Sequence, residues 1–170
     1  MAQAKATETA TVTKPATATD LGKIAELYHV PMSQGTIDDI AKDGVTPEKS
    51  KAFEEYIKTT AQGLYPTLAP QIAAGIPTSY LLDPYRQVAK QKLGTEFEPN
   101  FQTDPKAIAA LTGSTDPKTG RAAPMSLEEW KQHIMTHPGF EYDKTPEAIA
   151  RAHEVMQGLQ QGFSQSGGNA

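Results

Sequence analysis

Glu129, His133 and His137 stand at i, i+4 and i+8, so an unbroken helix would carry one carboxylate and two imidazoles along a single face. Those are zinc-ligand types, and a zinc-bound water is a common hydrolytic nucleophile. The metalloprotease helix, however, needs a glutamate directly after its first histidine, and here Ile134 follows His133. His137 also precedes Pro138, where the helix must end. A histidine near a helix C-terminus is favourable simply as a partner of the dipole. His153, further along, is a third imidazole that can approach this face. The pattern is weighed as structural, with a metal-dependent wall hydrolase acting through Glu129, His133 and His137 as the alternative.

Other chemistry is weaker still. Asp38-Asp39, Glu54-Glu55 and Glu128-Glu129 are adjacent carboxylates. Helical neighbours point about 100° apart, so these are solvated faces and not acid–base dyads. Ser79, Ser114, Ser126 and Ser164 lack a Gly-x-Ser-x-Gly setting. Gly113 and Gly120 are not followed by the Gly-Lys-Ser/Thr ending of a phosphate-binding loop. No catalytic residue and no cofactor is predicted.

Composition narrows the remaining classes. A chain of 170 residues is one domain with or without tails. Its net charge of −4 and the absence of a lysine–arginine run argue against a specific nucleic-acid binder. No apolar stretch approaches the roughly 20 residues of a membrane helix, and no secretory apolar core opens the chain. With no cysteine, disulfides and thiolate chemistry are excluded.

The clearest element is 126–163, which holds the only tryptophan and three of the four histidines. Ser126 and Glu129 form a capping box, and Leu127, Trp130 and Ile134 recur at helical spacing. Pro138-Gly139 ends that helix, and Thr145-Pro146-Glu147 starts another. The second helix carries Ile149, Ala152, Val155, Met156, Leu159 and Phe163 at i, i+3, i+4, i+7 spacing. The prediction is a helical hairpin, with Phe140 and Tyr142 plugging the gap between its arms. Upstream, helices are predicted from Asp20 to Pro31, from Ser33 to Gly44, from Thr46-Pro47 to Pro66 (the longest of these), from Asp83-Pro84 to Gly94 and from Asp104-Pro105 to Gly113, with a further apolar segment through Leu68, Ile72 and Ile76 split by Pro70 and closed by Gly75. Thr78 is read as the cap of a single turn, and 114–125 as a loop. No segment alternates β-branched residues. The expected fold is all-α, with about six to eight mostly short helices. A flexible arm (1–19) precedes a helical domain (20–163, divided into 20–113, the loop and the hairpin), and a flexible tail (164–170) follows. The ends have too few apolar residues to offset the entropy of ordering.

Two runs, Thr60–Gly94 with its Leu-Tyr-Pro step and Asp-Pro-Tyr, and Met125–Phe163 with its tryptophan helix and Thr-Pro-capped final helix, resemble virion proteins of tailed bacteriophages. The likeness is to proteins of the tape-measure or internal, ejected type. It spans about residues 21–163 and rests on packing and capping residues, so it carries over no active-site residue. A complete tape-measure protein is far longer, which makes this chain a separate small protein or an isolated domain. The resemblance implies a non-enzymatic structural component of the virion, made in the host cytoplasm and bound to other virion proteins and to itself. The expected contact residues are Trp130, Tyr85, Tyr65 and Phe163. A cytoplasmic adaptor or regulator is the third reading.

Overall fold

The structure is a computed structural model that describes residues 17–166, with side chains described for 17–161. Eight α-helices follow one another among the described residues: α1 (Ala18–Leu27), α2 (Gln34–Ala41), α3 (Pro47–Leu64), α4 (Ala69–Ala73), α5 (Thr78–Leu93), α6 (Pro105–Thr112), α7 (Leu127–Thr136) and α8 (Pro146–Ser166). Single 3-10 turns occupy Pro66–Leu68, Pro138–Phe140 and Tyr142–Lys144. The fold is all-α.

Caps set most of the helix starts. Ser33, Thr46 and Ser126 each accept the backbone N–H three residues on, and Asp104 accepts that of Lys106. Thr145 Oγ1 accepts from Ala148 in the same way. Ser126 and Glu129 complete the expected capping box, with Glu129 Oε2 accepting from Ser126 N at 2.7 Å. At α1 the cap is Thr17, not Asp20. Asp20 is the third helical residue and reaches back to the Thr17 N–H, so helix begins inside the stretch expected to be an arm. Residues 1–16 and 167–170 lie outside the described residues, and α8 runs to Ser166, past the expected tail boundary.

Three further expectations are corrected. Asp83-Pro84 does not start a helix: α5 runs through Pro84, with Pro77 as its N-cap and Thr78 fully buried as its first residue. Proline removes one hydrogen bond to the Tyr80 carbonyl, but Leu82, Tyr85 and Ala89 are packed in the core, and tertiary packing overrides the local break. The predicted loop at 114–125 holds two short antiparallel strands, β1 (Ser114–Thr115) and β2 (Ala122–Ala123), paired Ser114 to Ala123 and Thr115 to Ala122. The turn 116–120 joins them, with Gly120 at φ 66°. The hairpin also fails. α7 spends its apolar face, Trp130 and Ile134, on α5, while α8 packs principally on the Tyr142–Lys144 turn. Glu141, left-handed at φ 51°, separates the two 3-10 turns between them.

The core is one cluster centred on Leu21, Ile57, Ile72, Leu82, Trp130 and Ile134, each no more than 1% exposed. α1 bridges α2, α3 and α5; α3 packs on α4, and α5 on α7. The order of packing therefore runs from α2 at one end, through α1 and α5, to α7, the Tyr142–Lys144 turn and α8 at the other.

Candidate functional site

The histidine face does not assemble into a metal site. Glu129 is occupied as the capping acid of α7, and the Ser126 hydrogen bonds hold its carboxyl below the ordinary range. His137 Nδ1 accepts the Gly139 N–H at 3.1 Å and so caps the Pro138–Phe140 turn that follows α7. His133 stacks on Trp130, with ring centroids 5.7 Å apart and planes at 24°, and its Nε2 is buried without a hydrogen-bond partner. Burial first, and then neighbouring His137, lowers its pKa. His153 is exposed on α8. No three His, Cys, Asp or Glu side chains among the described residues are grouped to hold a metal ion.

The expected contact residues are placed differently too. Trp130 is fully buried; its Nε1 donates to the Tyr85 carbonyl at 2.9 Å, and the Tyr85, Phe101 and Phe140 rings surround it at 5.6–6.5 Å. Tyr85 is part-buried and donates its hydroxyl to the Met125 carbonyl at 2.6 Å. Tyr65 is 2% exposed, and its hydroxyl accepts from Gln102 at 2.8 Å. These three residues hold the core together and present no contact face. Phe140 likewise packs on Trp130 and Phe97, not between α7 and α8. Phe163 lies outside the residues whose side chains are described.

A cleft with several polar liners lies at the fourth histidine, His29. It has a volume of about 430 Å³ and forms where the end of α1 meets α5 and the link from Glu98 to Gln102. His29 follows α1 in the left-handed region, φ 52°, which a non-glycine residue adopts only when its surroundings hold it there. Here they do: Gln102 Nε2 donates to the His29 carbonyl at 2.6 Å, and Arg86 Nη1 donates to His29 Nε2 at 2.8 Å. Burial and then the adjacent guanidinium lower the imidazole pKa, so it sits neutral. Arg86 Nε lies 2.9 Å from Glu98 Oε1 as an ion pair, out of line for a hydrogen bond, and Lys90 Nζ holds the other Glu98 oxygen at 2.7 Å. With its lone pair engaged by a permanently charged group, His29 is not free to act as a base, and no serine or threonine lines the cleft. The arrangement ties three elements together. Sequence reasoning missed it because Arg86 is 57 residues from His29, and nothing local marks the pair.

The remaining feature is α8. Ile149, Val155, Met156 and Leu159 are 47–58% exposed, and Ala152 is exposed beside them. From 149 through 152, 156 and 159 the spacing is three, four and three, an apolar seam of coiled-coil type that no described residue covers. α8 is tied to the body by its first turn: Lys92 pairs with Glu147 at 2.5 Å, and Thr145 caps the helix. None of the described helices is long and apolar enough to cross a membrane. No protein-family model, no curated protein and no solved structure matches the chain.

Proposed function

We propose that this chain is a non-enzymatic assembly protein that works through protein–protein contacts, as a structural component of a tailed-phage virion. The observation that carries the contact role is the uncovered apolar seam of α8. A 21-residue helix that buries little of its own apolar face gains its stability when another surface covers it. The two polar constellations favour no chemistry, because Glu129 and His137 serve as caps and the His29 lone pair is engaged by Arg86. The virion placement rests on the sequence resemblance over residues 21–163. The partners are other virion proteins and further copies of this chain, and no cofactor is required.

Mass spectrometry of purified particles tests the placement. The chain is expected at stoichiometric abundance, and lost from the particle fraction when Met156→Glu and Leu159→Glu charge the seam. If the chain never co-purifies with particles while binding one host protein as a stable monomer, the adaptor reading replaces this one. Stoichiometric zinc abolished by His133→Ala would instead restore the hydrolase.

A further inference from the structure

His29 stands where three parts of the chain meet, and its ring faces a group that keeps its charge at every ordinary pH. Arg86 Nη1 donates to His29 Nε2 at 2.8 Å, and Arg86 Nη2 stands 3.4 Å from His29 Nδ1, so both ring nitrogens lie against one guanidinium. That contact holds only while Nε2 keeps its lone pair. An imidazolium carries N–H on both nitrogens, so proton uptake removes the hydrogen bond and leaves two cations face to face. We infer that this cluster is an acid-sensitive latch: protonation of His29 releases the turn after α1 from α5 and from the 98–102 link, opening the cleft while α3 and α4 stay packed.

The charges around the ring do not rescue the closed form. From α5, Asp83 lies 3.6 Å from Arg86 Nη1, and Lys90 adds a second cation. From the link, Glu98 bridges Arg86 Nε at 2.9 Å and Lys90 Nζ at 2.7 Å, so both carboxylates are committed to cations of α5. Glu26 of α1 is the remaining acid of the cleft wall and is exposed to solvent. Tyr65, at the end of α3, is held protonated by burial and brings no charge. Burial and the guanidinium act in the same direction on His29, and together they outweigh Asp83 and Glu98.

The latch has a part that can move. His29 holds left-handed backbone, φ 52°, with Gln102 Nε2 donating to its carbonyl at 2.6 Å and Arg86 gripping its ring. Once the ring is released the residue can relax to ordinary backbone, and the Gln102 contact goes with it. The same Gln102 nitrogen donates to the Tyr65 hydroxyl at 2.8 Å, so the end of α3 marks the edge of the loosened region. Phe101 stays anchored against Tyr85 and Trp130, which confines the opening to the cleft. Only the open form takes up its proton at the ordinary histidine value of 6.5. Below that value the ratio of open to closed latch therefore rises by up to about tenfold per pH unit.

Hydrogen exchange of the full chain, read by mass spectrometry, tests this, with each amide rate divided by that of an unstructured peptide at the same pH. The reporters are the N–H groups of His29 and Val30, bonded to the Glu26 and Ala25 carbonyls, and those of Gln102 and Thr103, both bonded to Asn100 Oδ1. Between about pH 8 and pH 5 the carboxylates of the cleft stay ionised. Wild-type protection at 28–31 and 100–103 is expected to fall by up to about tenfold per pH unit below the histidine value, with the amides of 50–61 in α3 unchanged. Arg86→Gln keeps a neutral donor for Nε2 and removes the opposing cation, so its protection should vary far less with pH. His29→Asn accepts the left-handed backbone and should show no variation. Constant wild-type protection at both segments, an equal fall throughout α3, or a fall of wild-type size in either variant would each overturn the latch.

Discussion

Trp130 and His29 place single side chains under the most constraint. Trp130 has no exposed surface and donates its indole N–H to the Tyr85 carbonyl, so Trp130→Ala removes a large buried ring together with that hydrogen bond. We expect a loss of about 3–5 kcal/mol in urea unfolding, the range for an aromatic cut to alanine in a core. His29 and His133 both have lowered pKa values in the folded chain, through burial first and then Arg86 and His137 respectively. The unfolded chain then binds more protons as pH falls through the ordinary histidine value of 6.5. Stability is full above that value and is lost progressively below it, as pH approaches the folded-state values. The urea midpoint measured between about pH 8 and pH 5 should fall accordingly. His29→Asn tolerates the left-handed backbone and does not titrate, so it should flatten that dependence; an unchanged slope would remove His29 from the account.

Helix starts are where local chemistry speaks most clearly. Thr46, Asp104 and Thr145, each before a proline, cap α3, α6 and α8 as their types predict, and Asp104→Ala should cost about 1 kcal/mol. Asp83-Pro84 has the same signature and caps nothing, because the α5 face carrying Leu82 and Ala89 is buried on both sides of the proline. Pro84→Ala restores an N–H to that ladder. It should raise the melting temperature, with about 3 kcal/mol of intrinsic propensity as the ceiling. Capping and hydrophobic period are local properties, so the all-α class and most helix starts were legible in the sequence. The partners of each face were not. The stripe on α7 and the stripe on α8 look alike as sequence, yet one is buried against α5 and the other is bare. The capping box of Ser126 and Glu129 was legible too, and so was the end of the helix at Pro138, whereas the stacking of His133 on Trp130 and the hydrogen bond from Gly139 to His137 were not. The His29 cleft needs three distant segments to meet, and no spacing rule encodes that.

At the level of the whole molecule, the structure divides into a packed body and a lever. The α8 helix is joined to the body through the Tyr142–Lys144 turn, its cap and the Lys92–Glu147 pair, a surface ion pair worth at most about 1 kcal/mol. Ending the chain at Thr145 should therefore leave the unfolding midpoint of the body almost unchanged while removing self-association; a collapse of the midpoint would show that α8 is part of the core. The same division gives the molecule a built-in optical gauge. Trp130 is the only indole in the chain, and its ring partners Tyr85, Phe101, His133 and Phe140 all belong to the body. Its fluorescence should be blue-shifted while the body is folded and dimmed when stacked His133 becomes an imidazolium, a quencher of indole emission. Melting or capture of α8 would pass unseen by that emission and register in far-ultraviolet circular dichroism alone.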